Sequence, residues 1–192
     1  MDALTLFIIR HAEKPDKTLP ALGPGLTANG VSDSEALVIR GWQRAGAWAA
    51  LFGTALTGGD YAKPDAIYAA TPGTMFNQPP SSRPAETISA LAARLKLTPN
   101  LGFAKGSEAQ LVPALLKLSG VVLLCWEHNA IISDILPLIP VNKGTPPGKW
   151  EGDRFDVVLR FDRAKGDDKF AFKELFPKLL SGDSDTPLDH GK

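Results

Sequence analysis

Two short apolar runs each end on a histidine, and a third segment places an arginine where a helical pattern opens. Leu6-Phe7-Ile8-Ile9 runs into Arg10 and His11, and the chain then turns at Pro15. Val121-Val122-Leu123-Leu124-Cys125-Trp126 runs into Glu127 and His128. Arg83 follows a strand-like segment and a loop and begins the pattern Arg83-Pro84-Ala85-Glu86-Thr87. A histidine with one ring nitrogen held by a hydrogen bond and the other free is a nucleophile at neutral pH. An arginine fork holds two oxygens of an oxyanion and stays charged. Phosphoryl transfer is catalysed mainly by positioning and by stabilising charge on the non-bridging oxygens. These residue types together suit a phosphorylated substrate.

Arg10-His11-Ala12, within Arg10-His11-Ala12-Glu13-Lys14-Pro15, resembles the signature after the first strand of the histidine phosphatase superfamily, the phosphoglycerate mutase-like proteins. The resemblance spans most of residues 5–135. It implies that His11 is a nucleophile that takes up phosphate and that Arg10, Arg83 and His128 hold the phosphoryl group. Leu37 to Ala45 resembles the family's Leu-Thr-x-x-Gly-x-x-Gln-Ala pattern, with Arg44 in place of the glutamine. The loop between the second strand and Arg83 is longer here, with Thr71 to Pro80 inserted, so substrate recognition does not carry over. The resemblance implies a hydrolase acting on a phosphomonoester, with no metal and no cofactor. A mutase-like phosphotransferase and a phosphate-binding module with weak turnover stand as alternatives.

The proton donor is open. An alkoxide leaving group needs a proton, and a carboxylic acid is the usual donor. Family members that carry it directly after the second histidine have an aspartate there, whereas this chain has Asn129. Glu108 is the first candidate, with Glu127 and Glu13 as alternatives. Adjacent residues of a strand point to opposite faces, which disfavours Glu127 unless the strand has already ended.

Apolar patterning predicts strands at 3–9, 66–70, 121–126 and 155–161. Helical patterns at 37–52, 83–95, 109–118 and 131–139 alternate with them. That order implies an α/β fold with a mostly parallel sheet and helices on both faces, and with the resemblance a three-layer α/β/α sandwich of phosphoglycerate mutase type. Ligands in such sheets sit beyond the carboxyl ends of the strands, where His11 and His128 fall. Ser81 or Ser82 is the expected cap of the 83–95 helix, and Glu86 belongs to its first turn. Trp42 and Trp48 are expected in the core, and Cys125 as a buried, inert thiol. The stretch from Lys14 to about Ser34 has no periodicity and reads as a pocket rim or lid, or as a surface insertion. Loops are also expected at 71–82 and 140–153, and a frayed polar tail from about 181.

The chain of 192 residues suits one domain. Lys+Arg and Asp+Glu are 21 each, so no global field attracts nucleic acid or an anionic membrane, and an anion site must be a local cluster. One cysteine precludes an intrachain disulfide, and three histidines without zinc-type spacing give no metal site. No signal peptide or spanning segment is expected, which makes the cytoplasm the simplest location. A phosphorylated small molecule or a phosphoprotein is the expected partner.

Overall fold

The computed structural model describes residues 1–54, 59–72 and 81–191. Its centre is a six-stranded α/β sheet in the order β2-β3-β1-β5-β6-β4. Strands β1 (Leu4–Arg10), β2 (Ala66–Ala69) and β3 (Gly120–Trp126) run parallel, with Arg10 opposite Trp126 and Ala69 opposite Cys125. The three chains therefore leave the sheet at one edge. Both faces are covered, which is why β1 and β3 read as continuous apolar runs rather than alternating ones. Phe7, Ile9, Leu123 and Cys125 pack with Trp48, Phe52, Ile88 and Leu91 on one face. Leu6, Ile8, Val122 and Leu124 pack with Leu111, Leu115, Ile131 and Ile135 on the other.

Helix α1 (Ile39–Gly53) buries Ala45, Trp48, Ala49 and Phe52 at helical spacing. It starts two residues later than the periodicity suggests. Leu37 and Val38 are buried in extended chain instead, with the Val38 amide on the Glu13 carbonyl at 3.1 Å. The helix then passes so close to the segment after β1 that a Cβ on Gly41 would lie 2.4 Å from the Glu13 carbonyl oxygen. Only glycine fits that approach. Helix α2 (Arg83–Leu95) matches the expected span, with Pro84 and Glu86 in its first turn and Lys96 at φ 55° ending it. Ser82 precedes it but does not cap it, because its hydroxyl donates to the Glu35 carbonyl at 3.1 Å.

Helix α3 (Glu108–Leu115) is shorter than the expected 109–118 span at its C-terminal end. The 131–139 helix is irregular. A turn α4 (His128–Ala130) passes into a π-helical segment Ile131–Ile135 and a 3-10 turn Leu136–Leu138, where Pro137 lacks an amide to continue the ladder. Trp48 is buried, whereas Trp42 is half-buried and donates from Nε1 to the Leu26 carbonyl at 2.8 Å, tying down the 14–34 excursion. Residues 73–80 of the expected 71–82 loop lie outside the described residues.

The second half of the sheet departs from expectation. Strand β5 is Val158–Arg163, not 155–161, and runs antiparallel to β1. Strand β6 (Phe170–Leu175) is antiparallel to β5, and β4 (Val141–Lys143), inside the expected 140–153 loop, lies parallel to β6. Parallel pairings still outnumber antiparallel ones. Among the described residues no helix is long and apolar enough to cross a membrane.

The segment from 181 is docked rather than frayed. Arg44 is buried at the centre of an ion cluster, with Nε and Nη2 on the Glu13 carboxylate at 2.8–3.0 Å and Nη1 and Nη2 on Asp183 at 3.1 and 2.8 Å. Leu188 is buried against the sheet, and the Ser184 amide donates to Asp156 at 2.7 Å. Burial opposes the charge on Arg44, yet its bonds to Asp183 and Glu13 outweigh that and raise its pKa further. Replacing Arg44 by Gln removes the buried cation and leaves the two carboxylates with only the half-exposed Arg40, at 3.2 Å from Glu13 and 3.8 Å from Asp183. Arg44→Gln is expected to lower unfolding free energy by about 3 kcal/mol in urea titrations and to speed amide exchange over 181–190. Unchanged exchange there would mean that the tail is held by other contacts.

Candidate active site

His11 is the first residue past β1, and its amide extends the ladder by donating to the Trp126 carbonyl at 2.9 Å. Its ring is buried, with Nδ1 2.8 Å from the Ala12 carbonyl oxygen. That oxygen can only accept, so Nδ1 carries the hydrogen and Nε2 keeps its lone pair. Burial, and then the adjacent Arg10 charge, push the His11 pKa down to about 3. The ring is therefore neutral at physiological pH. Thr87 of α2 fixes its surroundings, because the hydroxyl accepts the Ala12 amide at 2.8 Å and donates to the Arg83 carbonyl at 2.7 Å.

His11, Arg83 and His128 line one cavity of about 330 Å³ at the carboxyl edge of β1, β2 and β3. Lys14, Lys105, Glu35, Glu127 and Asn129 line it as well. Arg83 sits at the start of α2 and donates from Nη2 to the Ser34 carbonyl at 2.7 Å and to Glu35 Oε2 at 3.2 Å. Its Nε is buried and unpartnered among the described residues. His128 Nδ1 lies 2.8 Å from Glu127 Oε1, at ion-pair distance but poorly aligned for a hydrogen bond.

Arg10 is not in the cavity lining. Alternation carries its side chain to the opposite face of the sheet from Ile9, where its guanidinium stacks 3.9 Å above the Phe155 ring. Nη1 donates to the carbonyls of Glu151, Gly152 and Arg154 at 2.9–3.1 Å, while Nε and Nη2 are buried without partners among the described residues. Burial lowers its pKa to about 10, which leaves it charged. The field of that charge reaches His11.

None of the three carboxylates expected as proton donor is free to act as one. Glu108 does not reach the cavity lining. It is buried and accepts the Gly106 amide at 2.9 and 3.1 Å and the Trp126 indole at 2.8 Å, which joins the start of α3 to the end of β3. Glu13 is bound up with Arg44 and Arg40 on the other side of the loop. Glu127 does line the cavity, because β3 ends one residue earlier. Burial opposes its charge, but His128 and the amides of Asn129 and Ala130 outweigh it and hold the carboxyl well below the usual range. Lys105 adds a contact at 3.2 Å. A carboxylate so held stays ionised.

Lys14, Glu35 and Lys105 were not assigned from the sequence. Lys14 sits inside the Arg-His-Ala-Glu-Lys-Pro run, which is a usable signal, whereas Glu35 closes an aperiodic stretch that offers none. Burial pushes the Cys125 thiol up, in keeping with an inert side chain. Among the described residues no group of three or more His, Cys, Asp or Glu could hold a metal ion. No family model matches the chain, and no curated protein matches it.

The neutral, Nδ1-protonated form of His11 is directly measurable. Two-bond proton–nitrogen correlation spectra of imidazole-labelled protein are expected to keep the His11 ring neutral from pH 8 down to pH about 4, against the ordinary midpoint of 6.5. A midpoint near 6.5 would mean that the ring is solvated rather than enclosed.

Proposed function

We propose that this chain is a phosphatase of the phosphoglycerate mutase-like histidine phosphatase type, hydrolysing a phosphomonoester through a phosphohistidine on His11. The observation that carries the reading is one buried histidine, neutral and fixed by its Nδ1 hydrogen bond, in a cavity shared with Arg83, Lys14, Lys105 and His128. A free Nε2 is the nucleophile such a step needs. Arg83 and His128 hold the phosphate in this reading, while Arg10, which lies outside the cavity lining, contributes its charge from behind His11. The buried, unpartnered Nε of Arg83 supports it, because an unpaired donor of a charged group is costly away from water. Positive charge that a chain of zero net charge gathers at one strand edge is consistent with a dianionic ligand.

In the reaction, Nε2 of His11 attacks phosphorus in line and the bond to the leaving oxygen breaks. Charge on the equatorial oxygens is met by Arg83 and His128. Water then attacks the phosphohistidine and releases inorganic phosphate. None of these steps calls for a metal. The fold belonging to this reading is the three-layer α/β/α sandwich, supported by α1 and α2 on one face of the sheet and α3 on the other. The reading keeps the chain in the cytoplasm, acting on a phosphorylated small molecule or a phosphoprotein.

Hydrolysis of p-nitrophenyl phosphate, assayed with EDTA and no added metal, tests it. Turnover is expected from the native chain, with a fall on the order of 10³ or more in His11→Ala. Turnover that survives in His11→Ala would remove the phosphohistidine. No turnover, with phosphate still bound, would favour a binding module.

A further inference from the structure

The proposed reaction leaves one proton without a source, and the cavity contains one carboxyl group that has not been placed. Glu35 ends the long excursion after β1. The excursion's return leg is fastened to the start of α2: Arg83 donates to the Ser34 carbonyl, Ser82 to the Glu35 carbonyl, and the Leu37 amide to Glu86 Oε2 at 2.9 Å. The Glu35 side chain is about 38% exposed and lines the cavity with His11 and Arg83. Its Oε2 accepts from Arg83 Nη2 at 3.2 Å, and its Oε1 has only a long contact of 3.5 Å from the Ser34 hydroxyl. The other lining carboxylate, Glu127, is engaged on both oxygens by His128, Asn129, Ala130 and Lys105. Glu35 is thus the one lining carboxylate with open capacity among the described residues.

We infer that Glu35 is the general acid of the phosphatase reaction, a role that rests on the reading above. Its contact with Arg83 makes the donor dependent on substrate. A phosphate seated on Arg83 engages the guanidinium that Glu35 otherwise contacts at 3.2 Å, which frees the carboxyl toward the substrate. In the first step Nε2 of His11 forms the bond to phosphorus, and the bond to the leaving oxygen breaks with its electron pair on that oxygen. The Glu35 proton passes to the same oxygen, which gives an alcohol and leaves Glu35 a carboxylate. In the second step that carboxylate takes a proton from the attacking water. The oxygen–phosphorus bond forms, the nitrogen–phosphorus bond breaks with its pair returning to His11, and Glu35 is protonated again. The same residue acts in both halves, as reversibility of the roles requires.

The test compares p-nitrophenyl phosphate with phenyl phosphate, whose phenolate is the poorer leaving group and depends more on protonation. The constant kcat/KM is used, because it reports the steps up to phosphorylation of His11. Glu35→Gln retains an acceptor oxygen for Arg83 and so keeps the segment in place. It is expected to lose at least about thirtyfold more on phenyl phosphate than on p-nitrophenyl phosphate, a part of the roughly 10²–10⁴-fold that a general acid contributes. His128→Gln, removing a phosphate contact, is expected to lose equally on both. Wild-type protein provides a second readout that needs no variant, since a working acid keeps its two kcat/KM values within about tenfold. Equal losses in Glu35→Gln, or wild-type turnover confined to p-nitrophenyl phosphate, would overturn the assignment and leave the phosphatase intact. No wild-type turnover of either ester would remove the phosphatase reading, and Glu35 with it.

Discussion

Arg10 stands opposite Trp126 in the parallel ladder, and the His11 amide adds one further rung to the Trp126 carbonyl. That register decides what the sheet's edge can hold. With β1 and β3 ending level, the residues that follow them, His11 on one and Glu127 and His128 on the other, emerge side by side. Because alternation along a strand has period two, a slip of one residue would exchange the faces of Arg10 and His11. The guanidinium would then occupy the cavity and the imidazole would lie under Phe155. Burial of both sheet faces makes such a slip expensive, since Phe7, Ile9 and their partners would all change cores. The precision of the site is thus inherited from the packing of the apolar strands.

The second constraint is electrostatic. Arg10, His11 and Arg44 are all buried within a few residues of the loop after β1 or against it, and each is made tolerable in a different way. Arg44 is neutralised by Glu13 and Asp183. Arg10 is partly solvated by the carbonyls of Glu151, Gly152 and Arg154 and by the Phe155 ring. His11 gives up its proton. Putting Arg10 behind His11 therefore helps to keep the imidazole neutral, because a positive neighbour and a dry environment both disfavour imidazolium.

The parts of the molecule legible in the sequence are those whose pattern is local. Strands β1, β2 and β3 and helix α2 were readable to within about a residue, because unbroken apolar runs and a proline-led helix start announce themselves. The residues that line the cavity by ending those strands, His11 and His128, and the arginine that opens α2 were readable for the same reason. The antiparallel half was not. Phe155 and Asp156 continue the alternation of β5 into a segment that stacks on Arg10 and accepts from Ser184, so the pattern outran the strand. The tail from 181 looks polar because its anchors are charged, with Asp183 and Arg44 separated by 139 positions in the chain. Glu108, read as a loop carboxylate ahead of the 109–118 helix, is instead the first residue of α3, and its partners are an amide two residues away and an indole on β3.

The excursion between Lys14 and Val38 shows why the site's last components escape a linear reading. It leaves β1 through Lys14 and returns through Glu35, so both of its ends line the cavity while its middle rests on Trp42 through the Leu26 carbonyl. Its two legs are joined by the bond of the Leu26 amide to the Leu37 carbonyl at 2.8 Å. The closing pressure comes from α1, which can approach the Glu13 carbonyl only because position 41 has no side chain. That approach sets where the chain must turn back, and the return brings Ser34 and Glu35 onto Arg83. A glycine in α1 and an arginine in α2 therefore decide which side chain of an otherwise patternless loop faces His11. The constraint is tertiary throughout, and no window of neighbouring residues contains it.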